Sequence, residues 1–196
     1  MMIQESFRCA QNSGRTIAAL RRTEIGEGCI IGTSAVIYRG CKIGEKVLVA
    51  DLATVRENVT VGSYTIIGRG VAIENRCTIG AHCKLETNVY ICAYSEIGDY
   101  CFIAPCVATS NDNYLGRTEK RFKEYGGAVV RRGGRIGVNA TILPGKIVEE
   151  DAVVAAGAVL TKNTETRKIY SGVPARFMRY VPEEELLENQ KAGGKK

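Results

Sequence analysis

Aliphatic residues recur at every sixth position: Ile25, Ile31, Ile37, Ile43, Val49, Val55, Val61, Ile67, Ile73, Ile79, Leu85, Ile91, Ile97 and Ile103. Four residues after each comes a small one, in the order Cys29, Ala35, Cys41, Val47, Ala53, Val59, Thr65, Val71, Cys77, Cys83, Val89, Ser95, Cys101 and Val107. A helix of period 3.6 cannot hold a six-residue register on one face, whereas short strands joined by tight turns can. The pattern predicts a solenoid of parallel strands with one large and one small inward residue per step. Three steps close a triangular coil, and coils stack at the strand spacing of ~4.8 Å.

The register is expected to break at Thr109. Residues 109–134 are polar and basic, carry Asn111, Asp112, Asn113, Arg117, Arg131 and Arg132, and read as an insertion projecting from one corner. Loops of that length in a compact domain are usually functional or disordered. The repeat resumes at Ile136, Ile142, Val148, Val154 and Leu160, with Lys146 standing where a small inward residue belongs. The chain thus divides into an N-terminal cap over 1–24, coils over 25–108, the insertion over 109–134, coils over 135–163 and a C-terminal segment over 164–196. In that last segment Pro182, three glutamates and Leu186 predict a short helix, followed by a tail.

A chain of 196 residues suits one domain. No apolar stretch could span a bilayer, and Glu5 and Arg8 stand where a secretory signal needs an apolar run, so a cytoplasmic protein with no membrane partner is expected. Of the eight cysteines, Cys29, Cys41, Cys77, Cys83 and Cys101 fill the small inward position, which makes them core residues in a reducing compartment. There is no C-x-x-C pair and His82 is the sole histidine, so no metal is expected. A net charge of +6 without aromatic interleaving falls short of a nucleic-acid footprint and fits an anionic small ligand better.

The hexads, the interrupting loop and the ending VVAAGAVLTKN followed by GVPAR together resemble the hexapeptide-repeat acyltransferases over about residues 20 to 180. That resemblance implies an all-β, left-handed parallel β-helix, a homotrimer, and acetyl-CoA bound between neighbouring prisms. The segments IENRCTIGAHCKLETNVYI and PCVATSNDNYLGR look most like N-acetyltransferases that act on UDP- or dTDP-linked amino sugars. It also implies that Lys162 and Arg176 meet the coenzyme phosphates, and that small residues such as Ala156 and Gly157 let the pantetheine lie along the backbone. Asn111 and Asp112 match the family's acceptor-holding loop.

Stacking every eighteen residues puts Lys46, Tyr64, His82 and Tyr100 in one column. His82 is the candidate general base, and a solvated turn histidine is the alternative. In the branch with a histidine base, that residue follows an Ile-Glu pair, and here the sequence is Ile73-Glu74-Asn75. An amide cannot take a proton, which disfavours a hydroxyl acceptor and suits an amine, already partly neutral at pH 7. Asn111 is then a candidate for stabilising the oxyanion, while Asn88, Asp112 and Arg117 are candidates for holding the acceptor. The same residue types favour turns in any protein. An O-acetyltransferase and a non-catalytic scaffold remain the rival readings, while a γ-type carbonic anhydrase would need three histidines.

Overall fold

A computed structural model of the protein describes residues 22–190, so most of the expected N-terminal cap and the end of the tail lie outside the described residues. The six-residue pattern becomes a prism of two-residue strands on three faces. Among the described residues the first face runs from Glu24–Ile25 to Ile147–Val148 in seven strands, the third runs from Val36–Ile37 to Val159–Leu160, also in seven, and the second runs from Ile30–Ile31 in nine, because Lys168–Ser171 and Arg176–Tyr180 extend it. Successive coils pair in parallel with like over like, as in Ile25 against Ile43 and Ile73 against Ile91. This is the left-handed parallel β-helix that the resemblance implies.

The large inward residues form a column on each face, with Val49, Val55, Ile67, Ile73, Leu85, Ile91 and Ile103 wholly buried. The small inward residues at the corners do more than fill space. The thiols of Cys29, Cys41, Cys77 and Cys83 donate to the carbonyls of Gly44, Arg56, Cys92 and Gly98 at 3.0–3.1 Å, and the Thr65 hydroxyl donates to Gly80 at 2.8 Å. Each donor thus ties its corner to a turn carbonyl of the next coil. Burial pushes the Cys77 thiol up to about 12, so it keeps the proton it donates. Cys83→Ala is expected to destabilise the protein by about 1–3 kcal/mol in urea unfolding, with Cys83→Ser losing less because it keeps the donor.

Two boundaries differ from the sequence expectation. Thr109 does not break the register: it is buried in the strand Ala108–Thr109 at the inward position, where its hydroxyl accepts the Cys92 N–H at 2.7 Å and donates to the Tyr90 carbonyl at 3.2 Å. A β-branched hydroxyl thus substitutes for Ile or Val by bonding instead of by bulk alone. The coil also resumes earlier than Gly134, because Val129–Val130 pairs with Glu96–Ile97 and Val130 is buried. The insertion therefore occupies the stretch between Thr109 and Val129. The expected C-terminal helix is instead two 3₁₀ turns, Glu183–Glu185 and Leu187–Asn189, since Leu186 lies in extended conformation between them and buries its side chain. The Lys146 side chain is half-buried and enters no ion pair among the described residues.

Candidate functional site

Outside the insertion and the C-terminal segment, each turn between strands is two residues long and its second residue has positive φ, so the side chains at those positions stand in columns along the three prism edges. The first edge, between the first and second faces, carries the column expected from the eighteen-residue spacing. The His82 ring lies parallel between Tyr64 and Tyr100, with centroids 5.0 and 4.7 Å away and interplanar angles of 1° and 6°. Lys46 sits 5.3 Å from the Tyr64 ring and Arg132 5.3 Å from the Tyr100 ring, so cations close both ends of the stack. The left-handed φ values, 61° for Tyr64, 56° for His82 and 58° for Tyr100, cost each bulky residue of order 1 kcal/mol. Stacking of about 0.5–1.5 kcal/mol per aromatic pair offsets that cost. The His82 side chain makes no hydrogen bond and meets no carboxylate among the described residues. Its ring is thus held by the two rings on either side.

The second edge carries Asn88, and Ala156 with Gly157 lie on the same edge three coils further on, about 14 Å away by strand spacing. Asn88 stands over Gly70, where an added Cβ would come within 2.5 Å of its Oδ1, so the glycine below leaves that amide room. Gly157 has positive φ and no atom within 4 Å of where a Cβ would stand. With Ala156 exposed beside it, this stretch of edge is bare backbone.

The third edge gathers the amides. Asn75, Ala93 and Asn111 follow one another on successive coils, which places Asn75 and Asn111 about 10 Å apart. The Asn111 side chain donates to the Ala93 carbonyl at 3.4 Å and its backbone carbonyl accepts Gly126 at 3.3 Å, so it marks both the departure and the return of the insertion. Tyr94, beside Ala93, receives Tyr125 of the insertion edge-on at 6.4 Å and Arg76 from the coil below at 5.8 Å. Arg76, Tyr94 and Tyr125 were not singled out from the sequence. The first two share the column spacing that identified His82, and only Tyr125 needed the folded insertion to be found.

Asp112 turns inward on the insertion. Its carboxylate accepts the N–H groups of Tyr114 at 2.8 Å and Gly116 at 2.9 Å and pairs with Arg121 at 3.5 Å. Those backbone donors, with Arg121 behind them, hold its carboxyl below the usual range. Arg117 is exposed on the same loop. Asp112→Ala is expected to loosen the insertion, seen as faster proteolytic cleavage between residues 112 and 125 with the unfolding midpoint nearly unchanged.

Lys162 is exposed on the third edge two coils beyond Asn111, and Arg176 is exposed at the start of the last strand of the second face. The expected residues thus fall on all three edges of the prism, and one copy does not bring them together. A cleft of about 290 Å³ between the first edge and the C-terminal turns, lined by Tyr100, Phe102, Arg135, Asp151 and Glu185, contains none of them. Among the described residues no group of three His, Cys, Asp or Glu could hold a metal, and no helix is long and apolar enough to cross a membrane.

Comparison with known proteins matches the bacterial transferase hexapeptide (six repeats) over residues 52–87 and 76–110, and the hexapeptide repeat of succinyl-transferase over 22–50 and 133–162. The chain is 38% identical over 63 residues to the mitochondrial γ carbonic anhydrase 2 of Arabidopsis thaliana, a match covering 31% of this chain and 23% of that protein. It is 37% identical over 59 residues to dTDP-3-amino-3,6-dideoxy-alpha-D-galactopyranose 3-N-acetyltransferase of Aneurinibacillus thermoaerophilus, covering 30% of this chain and 31% of that one. The matches thus span less than a third of either relative. Among solved structures, AntD, an N-acyltransferase from Bacillus cereus in complex with dTDP and 3-hydroxybutyryl-CoA, superposes with a TM-score of 0.55 at 21% identity over 82% of this chain and 84% of that one, a likeness of fold. The carbonic anhydrase match is a likeness of coils, since the chain has one histidine where that chemistry needs three. Repeat, fold and ending agree, and the chain belongs to the hexapeptide-repeat acyltransferase family.

Proposed function

We propose that the protein transfers an acetyl group from acetyl-CoA to the amino group of a small acceptor, a UDP- or dTDP-linked amino sugar, in the cytoplasm. The observation that carries this reading is the third edge. It presents the amides of Asn75 and Asn111 beside the insertion, with Asn75 after Ile73-Glu74 where the histidine-base branch has its histidine. An amine with a pKa near ~8 is partly neutral at pH 7 and needs no strong base to attack a thioester carbonyl. Attack forms the C–N bond and an oxyanion, collapse breaks the C–S bond, and the departing thiolate or a water takes the proton that the amine nitrogen sheds. Asn111 keeps one amide hydrogen free of its long bond to Ala93 and can donate it to the oxyanion. The named N-acetyltransferase and AntD, which binds dTDP and an acyl-CoA, support the choice of acceptor class.

Because the candidate residues stand on three edges, the active unit in this reading is a homotrimer whose sites lie between copies. The bare backbone at Ala156 and Gly157 suits the pantetheine, and the exposed Lys162 and Arg176 suit the coenzyme phosphates. Lys162→Ala and Arg176→Ala are each expected to raise KM for acetyl-CoA more than they lower kcat, since phosphate contacts bind ground and transition states alike. Unchanged KM in both would remove them from the site. The reading as a whole is tested by thiol release from acetyl-CoA with a panel of UDP- and dTDP-linked amino sugars and their hydroxyl analogues. Turnover is expected with amines, and turnover confined to hydroxyl acceptors would overturn it in favour of an O-acetyltransferase.

A further inference from the structure

A group of exposed side chains on the third edge belongs neither to the core nor to the transfer step. The left-handed turn positions of that edge run Gly40, Asn58, Arg76, Tyr94 and, beyond the insertion, Gly145. Glycine serves at both ends of the column, so the coil itself asks for neither a guanidinium nor a phenol between them. Arg76 and Tyr94 nevertheless stand there, both exposed, at φ 59° and 66°. The charge on Arg76 is not answered locally. The carboxylates of its own coil and of the coil below, Glu74 and Glu57, both go to Arg56, at 3.5 and 3.0 Å, and Arg121 of the insertion goes to Asp112. Among the described residues Arg76 enters no ion pair, and its guanidinium rests 5.8 Å from the Tyr94 ring. Asn111 fixes the rest of the group from both sides. Its side chain donates to the carbonyl of Ala93, the residue before Tyr94, and its backbone carbonyl accepts the N–H of Gly126, the residue after Tyr125. The two exposed phenol rings, 6.4 Å apart at 62°, and the guanidinium are thus held in set relation to the amide aimed at the oxyanion.

We propose, resting on the nucleotide-linked acceptor inferred above, that Arg76, Tyr94 and Tyr125 form the subsite for the nucleotide: the Arg76 guanidinium pairs with the diphosphate, and the two phenol rings hold the pyrimidine. A guanidinium presents its donors in a fork that fits phosphate oxygens, and an aromatic ring stacks on any base. The distances suit a nucleotide sugar. Asn111 stands two coils from Arg76, about 10 Å by strand spacing, which leaves one sugar ring between the diphosphate and the reacting amine. The subsite thereby distinguishes a nucleotide-linked amino sugar from the free sugar, which carries no anion for Arg76 and no base for the rings.

The test is calorimetric titration of UDP and of dTDP into the full chain held in excess coenzyme A, which keeps the nucleotide from the coenzyme's own phosphate site. Arg76→Gln and Tyr125→Ala are each expected to weaken binding of the tighter nucleotide by about tenfold or more, the effect of losing one charged hydrogen-bonding partner or one stacking ring. Tyr125→Phe is expected to retain the affinity, since the ring and not the hydroxyl makes the contact. In turnover Arg76→Gln and Tyr125→Ala should raise KM for the nucleotide-linked sugar with KM for acetyl-CoA unchanged, and the difference from wild type should vanish with the same amino sugar lacking its nucleotide. Nucleotide affinity left unchanged by either variant would overturn the inference, and so would a wild type that binds neither nucleotide. Binding that depends on Arg76 and Tyr125 in a protein that acetylates no amine would uphold the subsite and remove the transfer reaction, so the two readings fail separately.

Discussion

Asn111→Ala is expected to lower kcat about 10²–10³-fold while leaving KM for acetyl-CoA within a few-fold of its starting value, the size of effect seen when one oxyanion donor is removed. The amide is placed by the fold and not by chance. It follows the last strand before the insertion, is tied to the coil below through the Ala93 carbonyl, and holds the returning chain at Gly126. The variant should keep the insertion in place, because the Asp112 bonds to Tyr114 and Gly116 do not depend on it. A loss below about tenfold with the loop intact would remove Asn111 from the chemistry.

Ile73→Ala is expected to cost 2–5 kcal/mol of stability, the range for deleting a buried aliphatic side chain whose surroundings collapse only in part. Ile73 is wholly buried, with Val55 below and Ile91 above in one column, and the next residues of its coil are Glu74 and Asn75. The cavity would lie under the amide edge, so kcat should fall together with the unfolding midpoint in urea. Replacement at an exposed outward position of the same face, such as Tyr90→Thr, should cost far less than this.

The prism was legible because its signal is a repeat: one large and one small inward residue every six positions specify strand, turn and face at once. The spacing also placed Lys46, Tyr64, His82 and Tyr100 in one column, and the ring separations of 5.0 and 4.7 Å follow from one coil of rise. The pattern was least informative where bonding replaces bulk. Thr109 reads as a break, yet its hydroxyl lets it continue the inward column. Val129 and Val130 pair with the coil below although a polar stretch separates them from it in sequence. The engagement of Asp112 within its own loop was equally invisible, since an Asx-type turn and a substrate ligand require the same residue. Edge assignments for Asn88, Asn111 and His82 could have been counted from the hexads. Their consequence, that a single copy does not assemble them, needed the three faces in space.

The pH dependence of kcat/KM in the wild type and in His82→Ala separates attack by a neutral amine from attack assisted by a histidine base. Unassisted attack gives a profile that rises with the deprotonation of the acceptor amine and levels off above its pKa near ~8, with the same shape in both proteins and a loss under about tenfold in His82→Ala. A roughly thousandfold loss in His82→Ala with acetyl-CoA binding intact, together with the disappearance of a limb present in the wild-type profile, would contradict it and make His82 the base.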